Sequence, residues 1–245
     1  MVREQASLPE ASGTRRAGPS AIDIGVVIAG PLDTIDRHAT EIAIDKMRAF
    51  LAEKLPEFQF RIQHVQRPEL TGRGRIEPSV LLQQAAEDRD ARHWDFVFVV
   101  TAADLIGNYM PFCFAVLSRP LDAAVFSLSL IDPQASNAEA DRDQRTERIA
   151  GRLFRLWLNA LGHLTGLARS SDPHNLMYHP ATSQEIDQLQ ELQATQIAWQ
   201  HKSLLEIADQ RLEESSTSKA IYPVFAMRAG WINRREIMEA VWGAR

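Results

Sequence analysis

The feature that most constrains the fold is an alternation of short apolar runs with segments of helical periodicity. The run IDIGVVIAG at residues 22–30 is β-branched and ends in Gly-Pro, which is typical of a buried strand closed by a turn. A helical pattern capped by Asp33 or Thr34 follows, and strand-like runs return at residues 58–66 and 94–105. This alternation predicts an α/β fold with a mixed, mainly parallel sheet and flanking helices.

Two further apolar runs predict a hairpin-like excursion with one edge strand. They are PFCFAVL at residues 111–117 and AAVFSLSLI at residues 123–131, with the turn SRP between them. An edge strand leaves backbone N–H and C=O groups open to an extended peptide. Phe112, Phe114 and Val116 therefore mark a candidate peptide-binding edge, and an edge covered by a loop is the alternative.

Charge and cysteine content narrow the function classes. The net charge is -5 and the basic residues are scattered, so no nucleic-acid partner is expected. Cys113 is the only cysteine, which excludes an intrachain disulfide framework and a Cys-rich zinc ribbon. No apolar run reaches the roughly 18 residues that a membrane span needs. We expect a cytoplasmic protein in a reducing compartment.

Composition divides the chain into three parts. Residues 1–21 are polar and rich in Ala, Gly, Pro and Ser, which predicts a flexible leader. Residues 22–182 form the α/β domain, and residues 183–245 form a helical C-terminal extension. Thr182 and Glu185 have capping-box spacing and would open a long polar helix with an apolar stripe.

The function of this extension is open at the level of sequence. Its apolar stripe allows the helix to pack back on the domain or to form an oligomer or a complex with a partner. The final segment, residues 231–245, contains a last short helix that Asn233 and Glu236 could cap, and it carries Trp231 and Trp242 near arginines. This allows contact with a partner or a membrane surface.

The segment that carries chemistry is NALGHLTGLARSSDPHNLMY, at residues 159–178. It continues a helix that is apolar almost all round, which predicts a buried position. Metzincin zinc peptidases present H-E-x-x-H-x-x-G-x-x-H, in which three His bind zinc and the Glu acts as general base. Here His163 stands at the second-ligand position, Gly166 at the glycine position, and Met177 in a segment similar to the Met-turn.

Together with the upstream runs, this segment resembles the archaemetzincin family. The resemblance covers roughly residues 22–190 and is strongest over residues 94–187. It implies a metzincin-like fold in which His163 faces the metal position, Asn159 lies one helical turn before it, and Met177 lies beneath. The family also carries a second, Cys-rich zinc site, which a chain with Cys113 alone cannot build.

The catalytic zinc of the family is not expected in this chain. Asn159 replaces the first ligand, Ala160 the general base and Arg169 the third ligand. An alanine cannot accept a proton, and a guanidinium has no lone pair to offer a metal. Asparagine is a poor zinc ligand compared with His, Cys or carboxylate. We expect Arg169 to pair with Asp172 instead, so that an organic cation takes the structural role of the metal.

Three functions follow from these residues. The first is a catalytically inactive metzincin-like relative that binds a peptide or protein, as a recognition, scaffolding or regulatory component. The second is a zinc-dependent hydrolase with a rebuilt site that uses His163, Asp172, His174 and His179, although their spacing matches no familiar zinc pattern. The third is an assembly protein that acts through its C-terminal helix. A lone His on a buried helix is also, most often, an ordinary core residue.

Overall fold

The computed structural model describes residues 20–70, 75–106, 113–132 and 142–216, without the side chains of residues 211–216. The strands in these ranges are β1 (Ser20–Ala29), β2 (Phe58–Arg67), β3 (Arg75–Ile76), β4 (Phe96–Thr101), β5 (Asp104–Leu105), β6 (Ala115–Ser118) and β7 (Ala123–Ser127). The helices are α1 (Thr34–Lys54), α2 (Pro78–Arg92), α3 (Arg142–Leu164), α4 (Ser183–Gln188) and α5 (Ala194–Ser216). A 3-10 turn at Arg119–Leu121 joins β6 to β7.

The main sheet has five strands in the order β2-β1-β4-β7-β6. All neighbouring pairs are parallel except β6 and β7, which pair antiparallel. β3 and β5 form a separate two-stranded parallel pair. The predicted mixed, mainly parallel sheet is therefore confirmed. So is the hairpin-like pair, in which β6 is the edge strand.

Two apolar layers cover the sheet, one on each face. In β4, Phe96 and Phe98 face the layer that contains α1 and α3, while Val97 and Val99 face α2. This is the alternation of a strand buried on both sides. Trp157 of α3 lies fully buried against Phe98, with ring centroids 6.0 Å apart. Helix α3 therefore lies at the centre of the first layer.

The predicted helix caps are formed. The Asp33 carboxylate accepts the Asp36 N–H at 2.7 Å and begins α1. Pro78 is the first residue of α2, where its missing N–H costs no helical bond. The Thr182 hydroxyl accepts the Glu185 N–H at 3.2 Å and begins α4.

The region after residue 182 differs from the prediction of one long helix. It forms two helices, because the intervening segment pairs with a neighbouring loop: the Leu176 N–H donates to the Glu191 carbonyl and the Gln190 N–H to the His174 carbonyl, both at 2.9 Å. Apolar side chains of both helices lie in the same core as α1 and α3; they are Ile186, Leu189, Leu204 and Ala208. Up to residue 210 the extension thus packs on the domain. Trp231, Trp242 and the last predicted helix lie outside the described residues.

The N-terminal boundary also shifts, since β1 begins at Ser20 and not at residue 22. The predicted leader, residues 1–21, otherwise lies outside the described residues. None of the helices in the described ranges is long and apolar enough to cross a membrane.

A buried arginine joins α3 to α4 and to the segment after β7. Arg152 donates to the Asp187 carboxylate at 2.9 and 2.6 Å and to the Ile131 carbonyl at 2.7 Å. The carboxylate of Asp132, which is also buried, lies 3.5 Å from the same guanidinium. Because a buried charge without partners is costly, this network fixes where α4 begins relative to α3.

Candidate functional site

The site is built around the C-terminal end of α3. Gly166 has φ +94°, and the N–H of Gly166 donates to the His163 carbonyl at 3.0 Å. The Leu167 N–H donates to the Gly162 carbonyl at 2.8 Å, which completes a Schellman motif. A residue with a side chain would be strained at this φ. The glycine therefore ends the helix and sends the chain back along it.

His163 is held in one orientation by this turn. Its Nδ1 lies 3.0 Å from the Leu167 carbonyl oxygen, and because a carbonyl only accepts, Nδ1 carries the proton. Burial lowers the pKa of His163; the hydrogen bond to Leu167 acts against this, and Arg169 and His179 act in the same direction as burial. The ring is therefore neutral at pH 7, with the lone pair on Nε2. This is the tautomer in which a histidine presents Nε2 to a metal ion.

Asn159 lies one helical turn before His163, and its amide is used as a cross-link. Nδ2 donates to the Leu176 carbonyl at 2.6 Å and to the Tyr178 carbonyl at 3.0 Å. The side chain is 8% exposed. These two bonds tie α3 to residues 170–178, which we call the Met177 loop.

Met177 itself is fully buried beneath α3. A Cβ added to Gly162 would lie 2.5 Å from its Sδ, so the glycine allows the loop to approach the helix. The loop is closed by the Ser170 N–H, which donates to the Met177 carbonyl at 3.0 Å. Asn175 accepts the Met177 N–H at 2.8 Å and donates to Gln196 of α5 at 2.9 Å. Helix α5 thus supports the loop from outside.

The other predicted site residues are not gathered into one centre. Ala160 is buried in the core, whereas Asp172, His174 and His179 are exposed. The expected ion pair between Arg169 and Asp172 is not formed; the Asp172 carboxylate instead accepts the His174 N–H at 3.0 Å in a local turn. In the described part of the chain, no three His, Cys, Asp or Glu residues form a group that could hold a metal ion. The four-residue set His163, Asp172, His174 and His179 is therefore not assembled.

Positive charge surrounds the end of α3. Arg169 is exposed, and its charge lowers the pKa of both His163 and His179, although burial is the larger cause in each. Glu185 acts on His179 in the opposite direction. A Cβ on Gly166 would lie 2.9 Å from Nη2 of Arg119 and 3.6 Å from the indole nitrogen of Trp199. The guanidinium of Arg119 and the indole of Trp199 therefore both lie over this glycine.

The edge strand β6 ends next to this region, and its backbone pairing decides which atoms are open. The Phe114 carbonyl accepts the Ser127 N–H at 2.9 Å, and Val116 lies opposite Val125 in the register. Antiparallel pairs alternate between bonded and non-bonded residues, so Ala115 and Leu117 direct their N–H and C=O groups away from β7. The predicted positions therefore shift by one residue: Phe114 is buried in the core and Val116 packs on the α2 face. Phe112 lies outside the described residues.

Comparison with known proteins shows what this arrangement resembles. No protein-family model matches the sequence, and no curated protein matches it significantly. Archaemetzincin from Methanopyrus kandleri matches the structure with a TM-score of 0.57 at 18% identity, over 78% of this chain and 99% of that one.

The fold is archaemetzincin-like.

Two other solved structures agree. The zinc-dependent peptidase from Methanocorpusculum labreanum has a TM-score of 0.54 at 15% identity, over 72% of this chain and 99% of its own. Archaemetzincin from Archaeoglobus fulgidus, solved with malonate, has a TM-score of 0.51 at 15% identity, over 73% and 99%. At such identities the likeness establishes the fold, and the chemistry has to be argued from the residues.

The donor atoms at the end of α3 do not fit the zinc ion that this fold holds in the peptidases. Zinc sites use three or four His, Cys or carboxylate ligands. Here His163 supplies one ring nitrogen, the Asn159 amide is bonded to two carbonyls, and Arg169 adds a positive charge. A cation would meet one donor and a repelling guanidinium. We therefore derive no reaction step through zinc.

Several residues of the site were missed at the level of sequence. Gly162 carried a usable signal, since a glycine inside a buried helix indicates close approach of another segment. No sequence signal pointed to the other three residues, which come from distant parts of the chain: Arg119, Gln196 and Trp199. Only the packing of α5 and of the β6–β7 turn against α3 brings them to the site.

Proposed function

We propose that this archaemetzincin-like chain binds an extended peptide along the open edge of β6 and does not hydrolyse it. The observation that carries the proposal is the Asn159 amide, which donates to the Leu176 and Tyr178 carbonyls. A side chain that cross-links α3 to the Met177 loop stabilises the scaffold of the site and is withdrawn from chemistry.

The described residues of the site lack the groups that peptide hydrolysis needs. Metal-assisted peptide hydrolysis requires an activated water and a base that removes its proton. The position of the base is Ala160, whose side chain lies in the apolar core. His163 is neutral and bonded to Leu167, and it has no carboxylate partner at hydrogen-bond distance in the described residues. Nothing at this site performs both tasks.

Peptide binding is supported by the backbone of β6. Within the described ranges no strand pairs with its outer edge. Ala115 and Leu117 direct their N–H and C=O groups there, the Ala115 carbonyl also accepts the Cys113 thiol at 3.6 Å, and Leu117 is 36% exposed. Adding a strand to such an edge uses main-chain hydrogen bonds for affinity. The strand ends at Ser118, so a peptide on this edge continues over the end of α3.

The test compares two substitutions at one edge position. Leu117→Pro removes an outward N–H without removing a bond to β7, and edge strands tolerate proline. Leu117→Ala removes the side chain and keeps the N–H. The probe is a library of N-acetylated, C-amidated octapeptides, printed as spots and incubated with the full-length chain. We expect binders for the wild type and for Leu117→Ala, and their loss in Leu117→Pro with an unchanged circular dichroism spectrum. Equal binding by all three would contradict the proposal.

Metal content distinguishes this proposal from a rebuilt zinc hydrolase. The chelator-free protein and a His163→Ala variant are compared by elemental mass spectrometry, and peptide cleavage is followed with added zinc. We expect no stoichiometric zinc in either protein and no cleavage. Zinc near one equivalent that disappears in His163→Ala, together with cleavage, would establish the hydrolase instead.

A further inference from the structure

The end of α3 has a charge that the peptide-binding proposal does not use. Arg169 is exposed, and no ion pair engages it within the residues that the structure describes. A guanidinium cannot activate water as zinc does, but it keeps a positive charge at the end of α3.

Two other polar groups lie at the end of α3. The guanidinium of Arg119, directly after β6, lies over Gly166, and the indole of Trp199 lies beside it with 55% of its side chain exposed. His163 is neutral and adds no charge of its own. An extended chain leaving β6 at Ser118 meets these groups next.

The nearby carboxylates make local bonds and no ion pair with Arg169. Asp172 accepts the His174 N–H at 3.0 Å, and Glu185 accepts the Ala181 N–H at 2.7 Å. Asp122 accepts from Arg89 at 3.0 Å. None of these three pairs with Arg169, so its charge is available to an incoming ligand although the whole chain carries a net charge of -5.

We infer that the peptide bound on β6 carries an acidic side chain, whose carboxylate pairs with Arg169 over the end of α3. The inference rests on the peptide-binding proposal and names the ligand's chemistry. A planar guanidinium binds a carboxylate through two parallel N–H···O bonds, which gives orientation as well as affinity. The acidic residue would lie just beyond the segment paired with Ala115 and Leu117.

The experiment uses the octapeptides that bind the wild-type chain, each resynthesised with every acidic position as Glu or as Gln. Affinities are measured by fluorescence anisotropy for the wild type, Arg169→Gln, Arg169→Lys and Asp172→Asn. We expect one position at which Glu binds about tenfold or more tightly than Gln on the wild type, as a charge-assisted pair predicts. Arg169→Gln should lose this preference and keep the affinity of the Gln peptide.

The variants separate the outcomes. Arg169→Lys should recover part of the preference, since a point charge lacks the bidentate geometry. Asp172→Asn is the matched control for a nearby charge change and should keep the preference. Equal affinity for the Glu and Gln peptides on the wild type overturns this inference and leaves the peptide-binding proposal standing. Failure to find any binder overturns both.

Discussion

Replacing Asn159 by aspartate exchanges one amide nitrogen for an oxygen and removes both hydrogen bonds between α3 and the Met177 loop. The shape of the side chain is kept, so the effect reports on the donors alone. At pH 7 the new carboxylate faces the carbonyl oxygens of Leu176 and Tyr178 at 2.6 and 3.0 Å. Repulsion and burial then act together, and the variant should be less stable than Asn159→Ala.

The magnitude follows from the two carbonyls. A buried polar group left without its partner costs about 1–3 kcal/mol. Leu176 is 1% exposed, so its carbonyl would be left without a hydrogen-bond partner at the full cost. Tyr178 is half-buried, so water can replace part of the lost hydrogen bond to its carbonyl. We expect Asn159→Ala to lower the free energy of unfolding by about 2–4 kcal/mol, which for a chain of this size lowers Tm by roughly 5–15 °C.

The assay is urea unfolding followed by circular dichroism, at pH 7 and at pH 4.5. Burial raises the pKa of the introduced carboxyl in the folded state, so the folded state gains stability as the pH falls and the group is protonated. The deficit of Asn159→Asp relative to Asn159→Ala should therefore shrink at pH 4.5. Gln144→Ala, on the exposed face of α3, is the control and should change stability by less than about 0.5 kcal/mol. Wild-type stability of Asn159→Asp at pH 7 would refute the amide cross-link.

Three further predictions concern the frame of the site. Gly162→Ala places a methyl group against Met177 and should cost about 1–3 kcal/mol, less in a background with Met177→Ala, as urea unfolding will show. Arg152→Met removes the bonds to Asp187 and to the Ile131 carbonyl, while Arg148 still pairs with the buried Asp132. It should cost about 1–3 kcal/mol, and stability equal to wild type would count against the network. Burial raises the pKa of Asp122 to about 6. A shift of this size means that ionising Asp122 in the folded protein costs at most about 3 kcal/mol. Because the side chain is 40% exposed, solvent screening reduces this cost to about 1 kcal/mol. Asp122→Asn should therefore gain about 1 kcal/mol above pH 6 and nothing near pH 4 in the same assay; a gain independent of pH would contradict the assignment to this carboxyl.

The fold was largely readable from the sequence because its signals are local. The run of five apolar residues in β4 places apolar side chains on both faces of the strand, so it predicted a central strand. Asp33, Pro78 and Thr182 carry the chemistry of helix starts within three or four residues. The prediction of one long helix after residue 182 was wrong. The backbone of residues 189–193 pairs with the Met177 loop, and no local sequence pattern shows such a contact between segments.

The sequence names the residues of the candidate site and does not show their hydrogen-bond partners. The sequence by itself determined which chemical groups are present: one histidine, a helix-ending glycine, a buried methionine, and an asparagine, an alanine and an arginine where zinc chemistry needs other residues. Only the tertiary structure decided what they do. The Asn159 amide bonds to carbonyls, because the Met177 loop is returned beneath α3. The Asp172 carboxylate accepts the His174 N–H in a local turn and forms no ion pair with Arg169. Which residues of β6 are open was decided by its register against β7, since side-chain and backbone directions alternate at every residue and a single step reverses both.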